Sequence, residues 1–177
     1  MIASAGSEPP EETVHGTCIV LQEAGVLIRG AAGSGKSALA LALLDRAAQG
    51  GLHASVVGDD RVRLVRHAGR LVARPHPALP GLIEVRGLGI FRTRTQLDAA
   101  VVRLIVDLVE ASPRLPDPSG AEADLLGVAL PRLQIDRGLR AAGLGPVLVF
   151  DALAASSLGV AARTHSPTLA WADRPDV

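Results

Sequence analysis

Residues 30–37 read Gly30-Ala31-Ala32-Gly33-Ser34-Gly35-Lys36-Ser37, a full match to the phosphate-loop pattern G-x-x-x-x-G-K-[ST]. The apolar run Val26-Leu27-Ile28 leads into it, and a second run beginning Leu39-Ala40-Leu41 leads out. A strand therefore enters the loop and a helix leaves it, which is the context the motif requires. A glycine-rich turn that merely caps a helix is the plainer alternative. Glycines, lysine, serine and flanking pattern all agree on the phosphate loop instead. Gly30, Gly33 and Gly35 permit close backbone approach to an anion. Backbone amides from Ala31, Ala32, Ser34 and their neighbours can turn inward around a phosphate, and the helix start adds its own. Lys36 suits the β- and γ-phosphates, and the Ser37 hydroxyl suits Mg²⁺.

The flanking segments set the fold class. Residues 17–21 and 26–29 read as strands joined by a turn, and residues 37–48 as the helix after the loop, ended by Gly50-Gly51. Residues 54–57 form a short strand stopped by Gly58-Asp59-Asp60, and residues 61–73 form a hairpin turning at His67-Ala68-Gly69. Residues 82–85 are another short strand. Residues 97–110 read as a buried strand with a helical alternative, residues 111–122 as loop, and residues 129–135 as strand. A short charged helix or turn over 136–145 and a helix over 147–157 complete the series. The expected fold is α/β, a P-loop nucleotide-binding domain with a mixed sheet and additional β-hairpins. Residues 1–12 are expected as a flexible tail, residues 13–165 as the catalytic domain and residues 166–177 as a second tail.

Composition excludes several function classes. The chain has 177 residues, 18 basic and 18 acidic side chains, so bulk charge recruits neither nucleic acid nor an anionic membrane. Phe91, Phe150 and Trp171 are the only aromatic residues, too few for a base-stacking surface. Cys18 is alone, which rules out an internal disulfide and fits a reducing compartment such as the cytoplasm. The polar N-terminal stretch does not resemble a secretory signal, and no apolar stretch is long enough for a membrane span.

Carboxylates and a histidine complete the candidate site. Asp59-Asp60 ends a strand, where the crevice of an α/β sheet lies. One acid can serve Mg²⁺ and the other can take a proton from an attacking hydroxyl. Two acids in a solvated turn are the plain reading. Glu84 sits within a short apolar strand and wants a cation, either Mg²⁺ or Arg86 two residues on. His15 precedes the first strand and can assist a phosphate or a carboxylate. His53, His67, His76 and His165 show no metal-ligand spacing.

Taken in order, Val14-His15-Gly16-Thr17, Gly25-Val26-Leu27-Ile28, the P-loop, Asp59-Asp60 and Ile83-Glu84-Val85-Arg86-Gly87-Leu88-Gly89-Ile90 resemble the catalytic domain of HPr kinase/phosphorylase. The last segment is far more specific than the P-loop. The likeness spans residues 13–150, in the manner of the short single-domain forms of alphaproteobacteria. It implies an ATP- and Mg²⁺-dependent serine kinase acting on an HPr-like phosphocarrier of the phosphotransferase system. It extends to the reverse, phosphorylase reaction and to a homo-oligomer, a hexamer in the family. By the same likeness His15 is the catalytic histidine, Lys36 holds the phosphates, Asp60 shuttles the proton and Asp59 supports it. Ser37 and Glu84 fall on the Mg²⁺ ligands, and a family arginine falls on Arg114. The family's basic substrate stretch is reduced to the neighbourhood of Arg132 and Arg137. A nucleotide-sensing module and a small-molecule kinase are the competing readings of the residues.

Overall fold

A computed structural model of the chain describes residues 10–78, 81–93, 95–113 and 121–157. The chain opens with β1 (Glu11–Leu21), β2 (Ala24–Gly30) and α1 (Lys36–Gln49). β3 (Ala54–Gly58), β4 (Arg61–His67) and β5 (Arg70–Pro75) follow. Next come β6 (Leu82–Val85), β7 (Gly89–Arg92), β8 (Ala100–Leu108), β9 (Glu122–Leu125) and β10 (Val128–Ile135). The described part ends with α2 (Arg137–Ala141) and α3 (Gly145–Ser157).

The sheet is mixed, as the sequence suggests. β2, β8 and β10 run parallel, and β1 lies antiparallel to both β2 and β3. β1 and β8 are long enough to belong to two layers. The first half of β1 pairs with β4, and the start of β8 pairs with β5, so the β4–β5 hairpin folds over one face. The helices cover the other face. Side-chain alternation along β1 divides the core accordingly. Ile19 and Leu21 join α1 and α3 in one cluster, with Ile28, Leu43, Val106 and Val149. Cys18 and Val20 join the hairpin in a second, with Leu27, Leu64, Leu71 and Ile105. β8 is covered on both faces, which explains why V-V-R-L-I-V-D-L lacks strand alternation and leaves a helical reading open. Gly25 is required where β2 meets β8, since a Cβ there would lie 2.6 Å from the Val101 carbonyl oxygen.

Three elements depart from the sequence expectation. β1 begins at Glu11, inside the stretch read as tail, because the Arg63 guanidinium holds the Glu11 carboxylate at 2.6 and 2.9 Å across the β1–β4 pair. β7 is fully exposed and pairs only with β6, so no buried alternation betrays it. β9 begins where loop was expected. Its two-residue connection to β10, Leu126-Gly127, has positive φ at both positions (54° and 73°), the signature of a type I′ hairpin. Leucine at the first position conceals a turn that asparagine would advertise. No helix among the described residues is long and apolar enough to cross a membrane.

The three parallel strands are tied by charge. Asp107 on β8 accepts two hydrogen bonds from Arg29 on β2, at 2.8 and 2.9 Å, and one from Arg132 on β10 at 2.6 Å. Burial alone would raise the Asp107 carboxyl, but the two guanidinium groups outweigh it and hold it below the usual range. Asp107→Ala should cost about 3 kcal/mol, read as a lower urea midpoint, because it leaves two half-buried cations facing each other. A folded-state pKa that is lowered stabilises fully above the ordinary carboxylate value of about 3.9 and is lost as pH falls through the folded value. The gap between wild type and Asp107→Asn should therefore close in acid. Cys18 is wholly buried, and burial pushes its thiol up to about 12. The native protein should resist thiol-reactive dyes that label the unfolded chain fully, and rapid native labelling would contradict this burial.

Candidate active site

The P-loop hangs from the end of β2 and feeds α1. Gly30, Gly33 and Gly35 all have positive φ (151°, 77° and 96°), a requirement that other residues meet only with strain. Gly35 is the N-cap of α1 and supplies no side chain, and no acidic residue lies in the first turn. The first-turn amides are thus available to an anion. Within the loop the Ser34 hydroxyl is buried without a hydrogen-bond partner. A ring of amides, an orphaned hydroxyl and a lysine fit phosphate oxygens.

Lys36 is almost fully buried, and its ammonium donates to the carbonyls of Gly30 and Ala31, each at 3.1 Å. Burial holds Lys36 below the usual lysine range, and the carboxylates of Asp59 and Asp60 pull it part of the way back. Its third contact is His15 Nε2 at 2.9 Å. An ammonium only donates, so Nε2 accepts and the ring proton sits on Nδ1. Nδ1 faces Asp60, 3.1 Å from its Oδ1 and 3.0 Å from its carbonyl oxygen. The result is a continuous chain, Lys36 to His15 to Asp60.

The adjacent acids differ sharply. Asp59 is buried, and three donors fill its carboxylate. Thr17 Oγ1 donates to Oδ1 at 2.5 Å, Ser37 Oγ lies 3.0 and 3.1 Å from the two oxygens, and the Glu84 amide donates to Oδ2 at 2.9 Å. Asp60 is half exposed and has φ of 65°. The Arg61 amide donates to the Asp59 carbonyl at 2.8 Å across it. A positive φ spanned by such a bond is the tight γ-turn, a strained conformation for a residue with a side chain. The strain turns the Asp60 carboxylate toward His15, beside a cavity of about 400 Å³ lined by Thr13, Val14, His15, Asp60 and Arg61.

The structure thus brings together His15, Lys36, Ser37, Asp59 and Asp60, and sets the backbone of Glu84 beside them. The Glu84 side chain is exposed. Arg114 lies outside the described residues. Among the described residues no three His, Cys, Asp or Glu side chains cluster as a metal site. The donor set instead suits Mg²⁺, which takes one or two protein oxygens and fills the rest with substrate phosphate and water. Two participants escaped the sequence reading. Thr17 is fully buried, and its signal is a hydroxyl on the core-facing side of β1, where Ile19 and Leu21 follow. Arg86 does not pair with Glu84. Its guanidinium lies against Gly33 of the P-loop, where a Cβ would meet Nη1 at 2.7 Å.

Comparison with known proteins supplies relatives for this arrangement. The family model described as HPr Serine kinase C-terminal domain matches residues 8–138. The HPr kinase/phosphorylase of Mycoplasma mycoides is 32% identical over 138 residues, covering 71% of this chain and 42% of the relative. That of Xanthomonas campestris is 40% identical over 120 residues, covering 64% of this chain and 36% of the relative. The chain therefore spans less than half the length of these curated relatives. A solved structure of the Hpr(Ser) kinase/phosphatase from Coxiella burnetii matches with a TM-score of 0.62 at 27% identity, over 78% of this chain and 95% of that one. This chain belongs to the HPr serine kinase C-terminal domain family.

Proposed function

We propose that the protein is an ATP-dependent serine kinase that phosphorylates an HPr-like phosphocarrier protein in the cytoplasm. The observation that carries the reading is the hydrogen-bonded chain from Lys36 through His15 to Asp60, with a buried, saturated Asp59 next to it. The names of the matched relatives support the same acceptor. Lys36 binds the β- and γ-phosphates of ATP within the loop. Ser37 and Glu84 are the residues that would hold Mg²⁺. Because Ser37 donates its hydroxyl hydrogen bond to the Asp59 carboxylate, its oxygen lone pairs stay available for a cation. When bound, Mg²⁺ neutralises phosphate charge.

Asp60 is the base. It accepts the proton of the acceptor serine hydroxyl as that oxygen attacks the γ-phosphorus. The bond from the γ-phosphorus to the bridging oxygen breaks, and ADP leaves with the electron pair. His15 donates from Nδ1 to Asp60 and fixes its orientation, and Lys36 stabilises the transferring group. In reverse, protonated Asp60 returns its proton to the serine oxygen as inorganic phosphate attacks phosphoserine, releasing pyrophosphate. Asp59 is unsuited to the base role because its oxygens are filled by Thr17, Ser37 and Glu84.

The test is transfer from γ-labelled ATP with Mg²⁺ to a cognate HPr-like protein. Asp60→Asn should lose about 100-fold or more in rate while binding ATP normally. Serine labelling that survives in this variant would exclude Asp60 as the base, and tight ATP binding without any labelling would exclude the acceptor. Thr17→Val should raise the Mg²⁺ concentration needed for half-maximal rate, and Thr17→Ser should restore it. An unchanged Mg²⁺ requirement would separate Thr17 from the site.

A further inference from the structure

Arg86 has no place in the reaction described so far, yet it is built into the site. It is the first residue after β6, at the corner of the connection to β7. The Leu88 amide donates to the Val85 carbonyl at 2.9 Å across the turn, and Gly87 has φ of 83°. Positive φ at the third turn position is the type II geometry, and it requires glycine there. The turn sets Arg86 at a fixed corner.

Two contacts hold that corner over the phosphate loop. The Glu84 amide, two residues earlier, is hydrogen-bonded to Asp59 at 2.9 Å. The Arg86 guanidinium packs against Gly33: a Cβ at that position would lie 2.7, 3.1 and 3.2 Å from Nη1, Cζ and Nη2. Gly33 is therefore needed for this approach as well as for its φ of 77°. Among the described residues the guanidinium has neither an ion pair nor a hydrogen bond. A planar cation with five donors, exposed and pressed on a P-loop without a carboxylate, matches the charge and shape of phosphate oxygens. Lys36 alone does not match a triphosphate in charge.

We infer that Arg86 is a phosphate-contacting residue that the β6–β7 hairpin supplies in cis to the nucleotide on the P-loop. The inference rests on the nucleotide reading above and assigns its second cation. Arg86→Ala and Arg86→Gln remove the charge, the latter keeping a polar side chain with the first three carbons of the arginine. Arg92 on β7 is an exposed arginine of the same hairpin and serves as the control for bulk charge.

The experiment is calorimetric titration of the full chain with Mg²⁺–ATP and Mg²⁺–ADP, without acceptor protein. Arg86→Ala and Arg86→Gln should each weaken ATP binding about tenfold or more, Arg86→Lys should recover part of it, and Arg92→Ala should match wild type. Wild-type affinity in Arg86→Gln overturns the inference and leaves the nucleotide reading standing. Equal losses in Arg86→Ala and Arg92→Ala also overturn it, because bulk charge then explains the effect. Failure of the wild-type chain to bind either nucleotide overturns the nucleotide reading itself. Arg86→Lys and Arg86→Gln keep the test decisive should the alanine variant lose its melting transition.

Discussion

The Asp59 carboxylate is the point on which the site depends. It gathers a hydroxyl from β1, a hydroxyl from the first turn of α1 and an amide from β6, all at 2.5–3.1 Å. Three elements far apart in sequence are thereby fixed to one group at the end of β3. Buried carboxylates are costly without such donors. Here the donors satisfy the acid and give the P-loop serine a defined orientation. The neighbouring Asp60 receives none of this support and stays exposed, held by its own backbone turn and by His15. One dipeptide thus presents two acids with different solvation and different partners.

The scaffold explains why these groups meet. β1 and β8 each serve two layers, so the same strands that frame the helical core also anchor the β4–β5 hairpin. β1 delivers His15 and Thr17 from the same face of one strand, two residues apart. His15 emerges at the open end beside Asp60, and Thr17 points inward to Asp59. The antiparallel pairing of Gly16 with Arg29 brings that end of β1 level with the root of the P-loop. Asp107 then locks the P-loop strand to β8 and β10 immediately behind it.

The site residues were more legible than the elements that carry them. The P-loop, the acidic pair and the Ile83–Ile90 segment are local patterns, and local patterns survive in a single sequence. Strand boundaries depend on partners. β1 gains its first residues only through β4, and β7 and β9 are four-residue strands whose pairing compensates for weak propensity. Thr17 and Arg86 were hidden for a related reason. A hydroxyl on a core face and an arginine near a glutamate each have ordinary explanations in sequence. Only the tertiary approach of β1 and β6 to the loop brings them to the site. The family resemblance supplied the assignment of Asp60 over Asp59 as proton carrier. The structure separates the two acids by burial, Asp59 being enclosed by its donors and Asp60 half exposed.

The left-handed backbone at Asp60 also narrows the range of sequences this turn can accept. At φ of 65° a β-branched or bulky side chain collides with its own backbone, glycine meets no strain, and asparagine and aspartate are the side-chain-bearing residues that reach positive φ most readily. Drift at this position is confined by sterics to a small set of residues, independently of any selection on chemistry. Within that set only aspartate carries a charge, so the fold itself keeps the position one mutation away from either an acid or an inert stand-in.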